Sequence, residues 1–304
     1  MKGKRETHKN RIRRSKWDWA FDLTNGAIMI FLVIVTAYPM YYIICASFSE
    51  TAQLRAFQGL LLAPIHFTTG AYKMAFEHPL ILSGFRNILI ILAVSLPINI
   101  ILTLICGYFM ASKNVMFKKI FIIYFMITMF IGGGLVPGYL NIRSLGLYDS
   151  LWALILPGAV SVYNAIIAKT AIEGIPDSLI ESAYMDGAGE LTILFRIIMP
   201  LIKPTVAVLL LYYGVGHWNS WFNASIYIDN QDLLPIQNVL RAILIENSDI
   251  LGSGATGDVD VTVNQYTETI KYATIVVSTL PILVVYPFIQ KYFTKGVMIG
   301  AVKG

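Results

Sequence analysis

The residues whose types and spacing carry most chemistry lie between Glu181 and Pro200. Glu181-Ser182-Ala183 is followed by Asp186-Gly187-Ala188 and then, past an apolar stretch, by Ile197, Met199 and Pro200. Asp177, Glu181 and Asp186 make an acidic face on a short helix, which suits contact with a protein partner. The rest of the chain has no Walker lysine, no G-x-S-x-G elbow and no dinucleotide fingerprint. Its His, Cys and carboxylate spacing shows no metal pattern. Cys45 and Cys106 sit inside apolar runs, where small buried thiols are ordinary. No catalytic residue and no metal site is therefore expected, and any energy source belongs to another chain. A second group of polar side chains, Asn99, Asn164, His217 and Asn219 with Trp218 among them, interrupts apolar runs. Such groups usually face a bundle interior or a cavity, which makes them candidates for a substrate path.

The elements that must position these residues are membrane helices. Of 304 residues 56% are apolar and only 13% are charged, about half the usual globular share. So few charges do not cover a soluble surface of this size. Six stretches without Asp, Glu, Lys or Arg are long enough to cross a bilayer, which takes roughly 20 residues. They are Ala27–Phe48, Asn87–Ser112, Ile120–Ile142, Ser150–Ala168, Pro204–Ile228 and Tyr272–Gln290. Their hydrophobicity is continuous, which predicts helices rather than the strands of a barrel. The expected fold is an all-α membrane protein with six transmembrane helices.

Charge orients the spans. Lys2, Lys4, Arg5, Lys9, Arg11, Arg13, Arg14 and Lys16 precede the first one against Glu6 alone. The positive-inside rule makes this tail cytoplasmic. Lys113, Lys118 and Lys119, the loop from Lys169 to Lys203, and Lys291, Lys295 and Lys303 then fall on the same side. Between Asp229 and Glu268, seven acids face one Arg, which assigns that segment to the outer side. A basic tail also suits nucleic acid, but its place beside a span makes it a topology signal, and no nucleic-acid partner is expected. The first apolar run exceeds the 7–15 residues of a signal-peptide core, so it is taken as an uncleaved anchor. Pro39, Pro97, Pro137 and Pro157 lie inside spans, and Gly132-Gly133-Gly134 precedes Pro137. These breaks read either as simple kinks or as irregular segments lining a path. An irregular outer end to the third span is expected at Gly132–Pro137.

The loop between the fourth and fifth spans has its own punctuation. Pro176 suits a first helical position, and Asp177 and Glu181 complement the helix dipole. Ile180, Ala183 and Tyr184 form an apolar stripe at helical spacing. Gly187 and Gly189 end or bend the helix, and a second amphipathic helix with Arg196 runs from Leu191 to Met199. An interfacial helix on lipid normally carries Lys and Arg on its polar face. The acidic face here favours a protein partner.

On these residues the chain resembles the permeases of binding-protein-dependent ABC importers. Their cytoplasmic signature reads E-A-A, three residues, G, nine residues, I-x-L-P. Glu181-Ser182-Ala183, Gly187 and Ile197-x-Met199-Pro200 match at full spacing, with Ser182 and Met199 as departures of similar size. Tyr38-Pro39, the Gly132–Pro137 cluster, Gly216-His217-Trp218-Asn219, Tyr286-Pro287 and the end from Gly296 to Gly304 resemble the maltose-permease-like carbohydrate uptake group. Within it the likeness points to a subgroup associated with complex oligosaccharides or polysaccharide fragments.

The resemblance implies a MetI-like permease fold in a bacterial cytoplasmic membrane, both termini inside. It implies a basic tail over 1–25, a six-helix domain over 26–293 with a coupling loop at 171–203, and a C-terminal tail over 294–304. The loop would form a coupling helix that docks in a cleft of an ATPase subunit. Glu181 would anchor it, Ser182 and Ala183 would permit close packing, and Gly187 would allow the bend. Asp186, Ala188 and Pro200 belong to the same surface. Implied partners are a second, different permease, two ATPase subunits that bind ATP and Mg, an extracytoplasmic solute-binding protein, membrane lipid and a carbohydrate substrate. The permease itself would hold no cofactor and hydrolyse nothing.

Some roles stay open between two readings. His217 is a helix–helix hydrogen bonder or a sugar ligand, with packing favoured. Trp218, Trp221, Phe222 and Tyr227 form an interfacial belt or a sugar-stacking surface, with the belt favoured for most. The acidic outer segment is a solvated loop or a docking site for the binding protein, and the C-terminal tail is a solvated end or a reach into the ATPase interface. Three other functions compete: the same machinery for a non-sugar solute, an ion-driven secondary transporter, and a non-transporting scaffold. The second predicts ionisable residues within spans, and none of the six runs holds a carboxylate or Lys. The third does not need the Glu181–Pro200 spacing.

Overall fold

The computed structural model describes residues 15–77, 79–113, 115–252 and 269–301. The basic residues before Ser15, most of the acidic outer segment beyond Gly252, and Lys303 lie outside the described residues. Among the described residues every regular element is helical.

The first helix, α1 (Lys16–Ser47), begins inside the expected tail. Ser15 caps it, accepting from Trp17 N while Asp18 accepts from Ser15 N at 2.8 Å, a reciprocal arrangement that satisfies free N-terminal donors. Two short helices, α2 (Thr51–Ala56) and α3 (Gly70–Glu77), lead to α4 (Pro79–Ala111). Pro97 does not interrupt α4. This helix is the centre of the molecule: α3, α7 (Trp152–Ile155), α8 (Val162–Glu173), α12 (Lys203–Asn219) and α14 (Ile236–Gly252) all pack on it. The last helix, α15 (Thr269–Ala301), packs on α1, α3, α12 and α14 and carries helix well into the expected C-terminal tail.

Three expected spans are divided. The third consists of α5 (Lys118–Phe130) and α6 (Leu135–Ser144), bent by 112° at a break where Gly134 has φ +86°. Gly132 to Gly134 supply the conformational freedom for that reversal, and Pro137 lies in the first turn of α6, where its missing N–H costs nothing. The fourth is split into α7 and α8 around Pro157. The fifth ends at Asn219, and α13 (Phe222–Tyr227) follows as a separate turn of helix. Among the described residues, only α1 and α4 qualify by length and apolarity as single spanning helices, and up to four spans result if each strongly bent pair counts as one.

Two of the buried clusters gather the bundle around α4. One joins α4, α8, α12 and the loop after α8 through Ile100, Leu104, Ile172, Ile198 and Leu209. The other joins α4 to α7 and α14 through Ile88, Ile91, Ile155, Ile236 and Val239. Gly107 lets α4 and α8 approach: a Cβ there would lie 2.7 Å from Ala168 Cβ. Gly84 plays the same part against α14, where a Cβ would meet Ile236 Cα at 3.0 Å. By contrast α1 touches the bundle mainly through α15, and most of its large apolar side chains are exposed. A surface of that extent is stable only against lipid or another apolar surface.

Candidate functional site

The loop after α8 forms a compact device. Pro176 stands at the N-cap with ψ 130°, one residue before the helical position expected for it, and α9 (Asp177–Met185) follows. Its apolar side faces the bundle. Ala183 is buried, with Ile180 and Ala188 packed against the same core. Its acidic side faces out: Asp177, Glu181, Ser182 and Asp186 are all exposed. The helix ends in a Schellman turn. Ala188 N donates to Ala183 O and Gly187 N to Tyr184 O, each at 3.0 Å, with Gly187 at φ +77°. That φ is available to glycine at little cost.

The chain then restarts as α10 (Glu190–Thr192), a π-turn over Ile193–Ile198, and α11 (Met199–Leu201), which includes Pro200. The wider π-turn places Ile193, Leu194 and Ile198 together in the core. This second segment meets α12 at 90°, so it lies across the end of that helix.

Side chains tie the device to the end of α4. Tyr184 donates to the Glu190 carboxylate at 2.8 Å, and Tyr108 of α4 donates to the same carboxylate and lies 3.3 Å from the Tyr184 hydroxyl. Lys113, just past α4, pairs with Asp177 at 2.6 Å. The hydrogen bond to Asp177 is the main reason its ammonium titrates above the ordinary lysine range, with a smaller contribution from the Glu181 charge. Glu181 makes no ion pair among the described residues. Beside α9, with α4, α5 and α8 around it, is an open cavity of about 1210 Å³ lined by Lys113, Lys118, Glu173, Asp177, Glu181 and Glu190, so the acidic side of α9 borders it.

The polar residues inside the bundle form a different arrangement. Asn99 is fully buried and donates to Gly158 O at 3.0 Å and Ala159 O at 2.9 Å; its Oδ1 meets His217 Nε2 at 3.1 Å. Tyr213 accepts from Ser161 N at 2.9 Å and pairs with Thr103 at 2.7 Å. Backbone groups left free between α7 and α8 are thus taken up by side chains of α4 and α12, which satisfies a chain break within an apolar bundle. Asn164 is buried in the first turn of α8, its N–H received by Ser161 Oγ. Asn219, at the end of α12, is exposed.

Trp218 departs from the belt expected for its group. It is 6% exposed and donates to Ser278 O of α15 at 3.1 Å, so it joins two helices inside the bundle. Tyr227 is also buried, whereas Trp221 and Phe222 are exposed. Sequence reasoning missed Thr103 and Tyr213. Their signal was the i,i+4 spacing of Asn99 with Thr103 and of Tyr213 with His217, which puts each pair on one helix face. Tyr108 and Glu190 gave no comparable signal.

The family described as binding-protein-dependent transport system inner membrane component matches residues 68–299. The chain belongs to that family. The permease is 38% identical to Protein LplC of Bacillus subtilis (strain 168) over 293 residues, covering 96% of the chain and 98% of the relative. It is 34% identical over 290 residues to the polygalacturonan/rhamnogalacturonan transport system permease protein YtcP of the same organism, covering 93% of the chain and 98% of the relative. A chain of a bacterial ABC transporter involved in the import of the acidic polysaccharide alginate superposes with a TM-score of 0.82 at 27% identity, over 92% of the permease and 99% of that chain. The permease therefore has the MetI-like all-helical fold expected of it, and is a transport component of an ABC importer.

Proposed function

We propose that the permease is one transmembrane half of an ATP-driven importer of oligosaccharides or polysaccharide fragments, with α9 as its coupling helix. The observation that carries this reading is the orientation of α9. Its apolar side is locked to the core and to α4, while Glu181 and Asp186 are exposed and make no ion pair among the described residues, with Ser182 beside them. An acidic ridge held rigidly in that way suits a basic cleft on an ATPase subunit. The relative named for polygalacturonan/rhamnogalacturonan transport and the similar structure from an importer of the acidic polysaccharide alginate support the carbohydrate class.

Six passes with both termini cytoplasmic fit the charge pattern, the third and fourth passes being broken and the fifth ending near Asn219. ATP and Mg belong to two partner ATPase subunits, and no hydrolytic step is assigned to this chain. Closure of those subunits on ATP would pull α9, and with it α4 through Tyr108 and Glu190. The second segment of the loop, crossing α12 at a right angle, would transmit the same movement to α12. Since α4 and α12 together support the break in α7–α8, a displacement at α9 reaches the middle of the bundle through packed elements. A second, different permease completes the translocation path, and a solute-binding protein delivers substrate from outside.

The test is co-purification of the importer with its ATPase subunits, with Glu181→Arg and Gly187→Leu introduced singly. Both should leave basal ATP hydrolysis by the ATPase subunits measurable while abolishing its stimulation by loaded binding protein. Stimulation at the wild-type level in both variants would show that α9 is not the coupling element.

A further inference from the structure

We propose that the permease carries a one-sugar subsite between α14 and α15 that reads a carboxylate through Arg241, so that its ligand is an acidic sugar of the uronate type. The proposal rests on the carbohydrate-importer reading and names the substrate class within it. A cavity of about 240 Å³ lies there, lined on its polar side by Trp221, Gln237, Arg241, Thr274 and Ser278 and on the other by aliphatic side chains. It is smaller than most ligand pockets, which run to roughly 300–1,000 Å³. That suits one pyranose ring rather than a stretch of chain.

Two independent features of the cavity point to a ligand. The first is Arg241, the single cation between Asp229 and Glu268. Its guanidinium lies 3.6 Å above the Trp221 ring, and no ion pair joins it to a carboxylate whose side chain is described. A guanidinium resting on an indole keeps its edge N–H groups available, and those match a carboxylate bidentately. The second is Thr274. It is 1% exposed and its hydroxyl has no hydrogen-bond partner, yet it lines this cavity. A buried hydroxyl without a partner is costly, and a sugar hydroxyl in the cavity would satisfy it once rotation of the side chain turned Oγ1 to the cavity wall. Gln237 offers a further donor and acceptor, and the aliphatic wall suits the C–H face of a ring.

The cavity walls are fixed by contacts that do not use these groups. Asn238 donates to Trp221 O at 2.9 Å, and the Ser278 carbonyl receives the indole N–H of Trp218. Trp218 follows His217, whose ring meets Asn99. The indole of Trp218 thus ties the Ser278 wall of the subsite to α12.

The experiment uses the complete importer, with its second permease, ATPase subunits and binding protein, reconstituted in vesicles. Uptake of trigalacturonate is compared with uptake of its trimethyl ester and of maltotriose. The binding protein is the same in every arm, so differences between variants belong to the permease. Arg241→Gln should lower trigalacturonate uptake roughly tenfold to hundredfold while changing ester uptake by no more than about twofold, as expected for loss of one charge-assisted contact. Thr274→Val should lower uptake of acid and ester alike by about fivefold without lowering thermal stability, since its hydroxyl bonds to nothing in the fold. An Arg241→Gln effect equal on acid and ester, or absent on both, overturns the proposal. Wild-type uptake of maltotriose without trigalacturonate overturns it alone. No ATP-driven uptake of any of the three sugars overturns the carbohydrate reading as well.

Discussion

Replacing Asn99 with leucine would strand the carbonyls of Gly158 and Ala159 and the ring nitrogen of His217 at once. Each buried polar group left unpaired costs about 1–3 kcal/mol, so Asn99→Leu should destabilise the purified permease by more than His217→Leu, which leaves the two carbonyl bonds intact. Thermal unfolding in detergent orders the two variants, and the reverse order would remove Asn99 as the support of the break. At Gly187 the cost is conformational. A side chain at φ +77° costs roughly 1–2 kcal/mol, so Gly187→Ala should weaken coupling less than Gly187→Leu, whose added bulk would also meet the ATPase subunit in the proposed coupling role. Lys113 gives a pH expectation. Its folded-state value is raised by Asp177, so its favourable contribution is complete below the ordinary lysine value of about 10.4 and is lost only as pH rises through the raised one. Any coupling defect of Lys113→Met should then be the same factor from about pH 6 to about pH 8, measured as stimulated ATPase activity. A defect that fades across that window would assign Lys113 a different partner.

At the scale of elements, close helix approach is set by glycine. A Cβ at Gly107 would meet Ala168 Cβ and Lys169 N at 2.7 and 3.0 Å, and backbone cannot yield there as a flexible side chain does. Overpacking of this kind costs about 1–3 kcal/mol. Gly107→Val should accordingly lower thermal stability and separate α8 from α4, whereas Gly26→Val, with open space around it, should not. The tie between α9 and α4 is a second element-level device. Glu190→Gln keeps the shape of the loop but weakens the acceptor shared by Tyr108 and Tyr184. Stimulated ATPase activity should fall severalfold, since loss of a charged hydrogen bond is worth roughly 1.5–3 kcal/mol, with assembly unchanged. Full activity would mean that core packing of Ala183 alone transmits the motion.

Across the whole molecule, the contrast between α4 and α1 is the main feature. The central helix is packed on several neighbours, and the first leans chiefly on α15 with its apolar surface open. Local stability follows such packing. Amide exchange of the isolated permease in detergent should therefore be faster along the middle of α1 than along the middle of α4, and pairing with the second permease should slow it if that partner covers α1. Equal protection of the two helices in the isolated chain would contradict the packing seen here.

Much of this architecture was legible from residue order. The apolar runs announced helices, and the Gly187 turn that ends α9 is where the spacing between Glu181 and Pro200 put it. Each of these rests on local physics: hydrocarbon excludes charge along a contiguous stretch, and a left-handed residue selects glycine. What only the tertiary structure decided was which spans break and what repairs them. Pro97 leaves α4 whole while Pro157 accompanies a break, because Asn99 and Tyr213 reach the freed groups near Pro157 from other helices. The tertiary structure also moved Trp218 from the surface to a bond with Ser278. Those partners lie 52 to 118 positions apart in the chain, and periodicity along one helix carries no information about such pairings. The Glu181 loop declares the kind of machine because its signal is local. The repaired break and the Arg241 cavity exist only once distant helices have met.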